Sequence, residues 1–591
     1  MHRTHTCGEI TENNINLKVA LCGWVNKRRD FGKIIFIDLR DRFGLIQLVI
    51  DTEKLNSEEI KSLRNEWVIK SHGIVRKRSP GMENRNLKTG NIEIDVLSIE
   101  ILSESKTPPF SIFEDNTVTN EELRLKYRFL DIRRKEIQEK IILRSNVAFQ
   151  VRKVLTENNF IEVTTPVLCK STPEGARDYL VPSRLFGGNF YALPQSPQLF
   201  KQLLMIGGID RYFQLPICFR DEDPRADRQP EFTQIDIEMS FAEKEDLFKI
   251  AESMVKEIFK NTINEDVKIP ISKMFYHDAL EKYGTDKPDL RFGMELIRIE
   301  DILKKSTFQI FLDSLKEGAI IKAINVKCGS NFSRKNLDEF TTIVKSFGLK
   351  GLTFIKKAQN EISSSILKFL DEKVIKDLEE RLQIEDGDLI IIACDKEDIV
   401  NKSLDHLRRK IAKDKNLCKE DDFKFVWIVD FPLFELDKEN NTLSACHHPF
   451  TSPREVDLKL LDSEPLKAKA EAYDLVLNGY EIAGGSKRIF RSDIQKKIFS
   501  LLNLTDNDIE EKFGFFIEAL KYGTPPHLGI AFGFDRLMML LTKTENIRDV
   551  IAFPKTLKGL DLMMNSPSFV NEKQLSELSI KTTKQEDIHW Q

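Results

Sequence analysis

Residues 219–238, FRDEDPRADRQPEFTQIDIE, restrict the fold of this chain more than any other stretch. Residues alternate in strand fashion around the charged centre: Tyr212, Gln214 and Pro216 before it, Phe232, Ile235 and Ile237 within it. That period predicts two antiparallel strands joined by a charged loop. Arg220, Glu222, Arg225, Arg228, Gln229, Glu231, Gln234, Asp236 and Glu238 crowd into this one segment. Charges of both signs at this density suit a site that holds an anionic phosphate beside a zwitterion. An isolated loop of this kind is more often a solvated turn whose ion pairs contribute little. Three other segments shift the balance.

The first is GIAFGFDRLMMLL at 529–541, a small-residue strand that turns through Gly533 and Phe534 into a helix opening near Asp535 and Arg536. A helix N-terminus with an arginine in its first turn favours phosphate. No Walker A pattern occurs, so a P-loop is excluded as the nucleotide site. The second is NGYEIAGGSKRIF at 478–490: Glu481 in a strand, Gly484 and Gly485 where a ligand can approach closely, then Arg488, a planar fork for a carboxylate. The third is QSPQLFKQLLM at 195–205, where Gln198, Lys201 and Gln202 share one helix face. Opposite an arginine, such a face suits an acidic side chain.

At 591 residues the chain is long enough for several domains. With 41% hydrophobic and 31% charged residues it reads as a globular protein with ample core. A net charge of −4 excludes a global basic field, so nucleic acid would be met by local clusters such as Lys27–Arg29 and Arg76–Arg78. The eight cysteines include no C-x-x-C pair, which argues against structural zinc and a disulfide framework and for reduced thiols. Cys446, His447 and His448 are adjacent and poorly spaced to share one tetrahedral ion. No apolar run reaches membrane-span length. MHRTHTCGEI lacks a signal-peptide core, and the expected location is cytoplasmic.

Residues 1–103 show five short β-rich runs with a helix-like segment between the third and fourth, the pattern of an OB-type barrel. A linker follows at 104–119. Residues 120–159 read as one long charged helical stretch, and FIEVTTPVL as a strand ending near Pro166. Residues 291–421 have their own strands and helices and read as an insertion between 120–290 and 422–565; 566–591 form a C-terminal extension.

Taken together, these motifs resemble the bacterial-type aspartyl-tRNA synthetases of class II. Class II motif 1 matches the helix and strand ending at Pro166, motif 2 matches 219–238, and motif 3 matches 529–541. TPEGARDYLVPS at 172–183, QSPQLFKQLL, HHPFTSP at 447–453 and GGSKRI match aspartyl signatures, and 291–421 resembles the GAD domain. The implied fold is α+β: an N-terminal OB-fold β-barrel, an antiparallel catalytic sheet with flanking helices, and an inserted α+β domain. The resemblance implies a homodimer with motif 1 at its interface.

It also implies a reaction. Aspartate attacks the α-phosphorus of ATP, pyrophosphate leaves, and the aspartyl group passes to the terminal adenosine of tRNA(Asp). Whether tRNA(Asn) is also charged stays open, turning on barrel residues near Phe31 and Gly81. By the same resemblance, Arg220 and Arg536 are catalytic. Asp221, Glu222, Gln229, Glu481, Gly533, Phe534 and Asp535 join them on ATP. Glu174, Ser196, Gln198, Lys201, Asp236, His447 and Arg488 join Arg220 on aspartate. Asp236 and Glu481 are the acidic candidates for Mg²⁺ brought with ATP; no zinc is implied. Arg29, Phe36 and Gln47 match anticodon readers. Ala483, Pro224 and Val49 depart from the usual pattern. A catalytically silent paralogue would lose motif 2 or 3 residues; here Arg220, Glu222, Asp236, Glu481 and Arg536 all stand. GGSKRI and the insertion argue against a related asparaginyl or lysyl enzyme.

Overall fold

The computed structural model describes residues 2–55, 58–113, 119–172, 175–437 and 440–583. Strands Lys18–Asp30, Ile34–Asp41, Gly44–Asp51, Val68–Lys77 and Ile92–Ser103 close into a barrel. A short helix, Glu58–Ser62, lies between the third and fourth, as expected. Period two fixes the register: Ile35, Ile37 and Leu39 fill the interior, which leaves Phe36 and Asp38 on the outer face.

The second body is a nine-stranded sheet. Its main path runs Lys273–Phe275, Phe425–Val429, Ala472–Leu477, Tyr480–Lys487, His527–Gly533, Glu231–Ser240, Arg211–Gln214, Ile161–Glu162, with Ile217–Phe219 also on Glu231–Ser240. Pairing is antiparallel except at the two ends. One face is apolar: Ile235, Ile237 and Met239, with Leu528, Ile530 and Phe532, pack in a core shared with helices Lys135–Glu157, Lys244–Ile263 and Phe534–Leu541. The alternate residues, Gln234, Asp236, Ala531 and Gly533, face a cavity. A separate five-stranded sheet, with helices including Arg334–Lys345, Glu372–Leu382 and Glu397–Asp414, occupies the inserted region.

Two sequence expectations change. The long helix over 120–159 is three: Glu121–Lys126, Arg128–Asp131 and Lys135–Glu157. The cause is Arg128, buried and donating to the carbonyls of Arg548, Ile551 and Ala552 while paired with Asp131. Satisfying that guanidinium turns the chain where periodicity alone would run on. The strand expected in FIEVTTPVL is only Ile161–Glu162, a two-residue parallel edge on Arg211–Gln214.

Barrel and body meet at a buried carboxylate. Glu66 accepts from Arg40 of the barrel at 2.9 Å and from Arg133 of the body at 2.8 Å, and Arg133 also lies over the Trp24 ring. Among the described residues no disulfide forms, and no helix is long and apolar enough to cross a membrane.

Candidate active site

A cavity of about 350 Å³ opens on the polar face of the nine-stranded sheet. Its floor is set by small residues. A Cβ on Gly529 would come within 1.8 Å of Glu238 Oε2, so only glycine lets that carboxylate lie flat. One end of the floor holds four buried charges in alternating order. Arg488 donates through Nε and Nη2 to both oxygens of Glu238 at 2.8 and 3.0 Å. Lys201 Nζ lies 3.2 Å from Glu238 and 2.9 Å from Asp236. All four side chains are at most 2% exposed. Buried charges of this kind survive only when paired.

The pairing sorts the two acids. Burial pushes the Asp236 carboxyl up to about 6 despite Lys201. Burial also raises Glu238, but Arg488 and Lys201 together outweigh it and bring it down to about 2. Asp236 Oδ1 is buried with no hydrogen-bond partner, as is Gln198 Nε2. Both line the cavity, one an acceptor and one a donor waiting for a ligand. Arg488 Nη1 donates to His448 Nε2 at 2.7 Å, which fixes that ring nitrogen as an acceptor. Burial drives the His448 ring far toward its neutral form, and His447 likewise, down to about 4.

The other end carries Arg220, Arg536 and a second acidic pair. Arg220 lies over the Phe232 ring, 5.1 Å from its centroid, and has no carboxylate partner among the described residues. Arg536, in the first turn of Phe534–Leu541, donates to the Glu481 carbonyl at 2.7 Å and to Asp227 of the charged loop at 3.2 Å. Its Nε has no partner. Glu481 and Asp474 flank Gly484, where a Cβ would stand 2.8 Å from Asp474 Oδ1 and 3.3 Å from Glu481 Oε1. Asp474 Oδ1 is buried without a hydrogen bond. Burial and then Glu481 push the Asp474 carboxyl well up. These two carboxyls line the cavity and could hold a Mg²⁺ that arrives with phosphate and water as its further ligands. Among the described residues no group of three His, Cys, Asp or Glu side chains is arranged to hold a metal ion by itself. The acid beside Glu481 is Asp474; Asp236, the other expected candidate, pairs with Lys201, as Glu481 pairs with Lys287.

The remaining expected residues divide. Ser196, Gln198, Lys201, Glu222, Gln229, Gly533, Asp535 and His447 line the cavity with those above. Gln229 spends both ends of its amide on the main chain of Lys555, and Asp535 accepts from Arg144 and from Thr233 N. These two hold the site's walls. Asp221 does not line the cavity; its carboxylate turns to Arg177 at 3.7 Å. Phe534 is 2% exposed within the apolar core, beneath Arg144. Gly485 lines the cavity and also lets the strands pack closely, since a Cβ there would lie 2.2 Å from the Gly529 carbonyl oxygen. Glu174 lies outside the described residues. Ala483 is buried in the core, and its methyl fits without displacing the strand.

Sequence reasoning missed Asp474, His448, Asp227 and Lys287, and counted Glu238 only as a charge. The two-residue step from Asp236 to Glu238 was readable as one strand face. Asp474 pairs with Gly484 and Glu481 with Val476, so bringing the two acids together needs the hairpin and its register shift between Leu475 and Val476. On the barrel, Phe36 is half-buried with Phe31 edge-on at 5.8 Å, Arg29 pairs with Asp38 at 2.7 Å, and Gln47 bridges Arg29 and Glu93.

Residues 120–557 match the family described as tRNA synthetases class II (D, K and N), and residues 19–102 match the OB-fold nucleic acid binding domain. The chain is 54% identical over 581 residues to the aspartate–tRNA(Asp/Asn) ligase of Protochlamydia amoebophila, covering 98% of this chain and 97% of that protein. It is 53% identical over 582 residues to the protein of the same name from Chlamydia pneumoniae, covering 98% and 99%. Among solved structures, the asparaginyl-tRNA synthetase of Pyrococcus horikoshii complexed with asparaginyl-adenylate superposes with a TM-score of 0.59 at 20% identity, covering 94% of this chain and 99% of that one. The aspartyl tRNA synthetase of Entamoeba histolytica gives 0.56 at 17%, covering 93% and 90%. At that identity the likeness speaks for the fold alone. Matched by the family model across most of its length and by relatives across nearly all of it, the chain belongs to the class II tRNA synthetases of the D, K and N group.

Proposed function

We propose that this protein is an aspartate–tRNA ligase, which joins L-aspartate to ATP and passes the aspartyl group to tRNA. The observation that carries this reading is the buried row Asp236, Lys201, Glu238, Arg488. A ligand with one ammonium and a side-chain carboxylate complements it. Asp236 Oδ1 accepts from the α-ammonium, and Lys201 and Arg488 donate to the β-carboxylate. Asparagine has nearly the same shape, but its amide NH₂ would face those donors. A site of buried groups left unpaired rejects such an analogue by ~10⁴–10⁵.

The first step needs no general base, because the attacking group is already a carboxylate. Its barrier is the approach of two anions, so positioning and neutralisation dominate. Arg220, with no carboxylate of its own, is suited to hold the α-carboxylate against the α-phosphate. Arg536 exchanges Asp227 for the far end of the triphosphate. Glu481 and Asp474 would hold Mg²⁺, which neutralises phosphate charge as pyrophosphate leaves. A hydroxyl of the tRNA terminal adenosine then takes the aspartyl group, and the barrel residues Arg29, Phe36 and Gln47 read the anticodon.

Both tRNA(Asp) and tRNA(Asn) are proposed as acceptors, supported by the relatives' shared name. A homodimer is supported by exposed apolar side chains along motif 1, including Phe149 and Ile161. The reduced cysteines support a cytoplasmic location. The test is aspartate-dependent exchange of pyrophosphate into ATP with Mg²⁺, followed by charging of each purified tRNA. Absence of exchange by well-folded protein rejects the ligase; charging of tRNA(Asp) alone rejects the dual acceptor.

A further inference from the structure

Lys287 belongs to none of the motifs above, yet its ammonium lies 2.7 Å from Glu481 Oε2 and lines the cavity. Its segment, 284–291, joins the nine-stranded sheet to the inserted one and is clamped from both sides. A Cβ on Gly284 would meet the Asn401 carbonyl at 2.4 Å, and Arg408 Nη2 donates to the Asp289 carbonyl at 3.1 Å; both come from the inserted helix Glu397–Asp414. On the other side Gly479, at the hairpin turn before Glu481, packs against Asp289, where a Cβ would stand 3.3 Å from the Asp289 Cβ. The ammonium is therefore delivered to Glu481 by a rigid support rather than by a wandering surface lysine.

Around Gly484, Asp474 Oδ1 and Glu481 Oε1 would stand 2.8 and 3.3 Å from one Cβ position, and Asp474 is buried, so the two carboxyls repel unless a proton or a cation relieves them. Resting on the function proposed above, we infer that Lys287 is a positioning residue whose ammonium stands in for the divalent cation at Glu481 until nucleotide arrives. A bare cation would have to displace the ammonium and gain two carboxylates alone. A cation carried on ATP brings phosphate oxygens that can receive the displaced ammonium. Lys287 thus makes metal binding conditional on nucleotide and, once displaced, sits within reach of the departing pyrophosphate.

The experiment titrates Mn²⁺, read by its electron paramagnetic resonance, into full-length protein without nucleotide. Wild type, Lys287→Met, Lys287→Arg and Lys287→Met with Glu481→Gln are compared. Removing the competing charge should tighten nucleotide-free Mn²⁺ binding at least about tenfold in Lys287→Met. Lys287→Arg should stay near wild type, and Glu481→Gln should abolish the gain. Equal Mn²⁺ affinity in wild type and a folded Lys287→Met, or a gain that survives Glu481→Gln, overturns the inference. Aspartate-dependent exchange is run on the wild type alongside. Exchange with unchanged Mn²⁺ binding rejects the role of Lys287 alone, whereas absent exchange rejects the underlying reading.

Discussion

Asp236 titrates where its two roles oppose each other. An unfolded aspartate loses its proton near ~3.9, whereas burial holds the folded one near 6. The folded state binds that proton more tightly, so this group's contribution to stability is full below pH 4 and is lost as pH rises through 6. Ligand binding runs the other way, since only the carboxylate accepts the substrate ammonium. Aspartate Kd should therefore weaken about tenfold between pH 8 and pH 5, with ATP affinity changing much less. Calorimetric titration at the two pH values checks this; a flat aspartate Kd would show that Asp236 does not bind the ammonium. At this scale the sequence located Lys201, Arg488 and Arg536, because each sits in a dense local motif. Lys287 and Asp474 escaped, because their meaning depends on Glu481, brought to them by a hairpin turn and by a linking segment.

Elements were legible where period two or helical period acted alone. The alternation in Glu231–Ser240 marked a strand, and the structure puts Ile235 and Ile237 in the core, whereas Phe232, grouped with them in the sequence, lines the cavity. The helical stretch over 120–159 was misread because a buried arginine, not propensity, decides where it turns. The neighbouring strand His527–Gly533 depends on what it lacks. Gly529→Ala would drive a methyl into the Glu238 carboxylate and so disturb Arg488 and Lys201 together. Overpacking of this kind costs about 1–3 kcal/mol. The expected outcome is a lowered Tm and a KM for aspartate raised well beyond any change in the KM for ATP. Parallel changes in both KM values would mean that the strand supports the whole cavity rather than its acidic end.

For the molecule as a whole, composition and period indicated a barrel and an insertion, and the family resemblance implied the catalytic sheet between them. It did not indicate how the bodies join, since a single Glu66 between Arg40 and Arg133 leaves no local signature. Glu66→Ala strands two arginines at the joint without touching either site. Pyrophosphate exchange should stay within about twofold of wild type, while kcat/KM for tRNA charging falls about tenfold, the loss of one buried contact's worth of alignment. Equal loss in both assays would show that the joint supports the catalytic body itself.

The two-ended grip of Gln229 on the main chain of Lys555 spans 326 positions of sequence. The charged loop at 219–238 is therefore seated by a segment made 326 residues after Gln229. During synthesis the loop can be complete, correctly charged and already on its sheet while its anchor has yet to leave the ribosome. Until that segment folds back, Gln229 lacks both of its Lys555 main-chain partners.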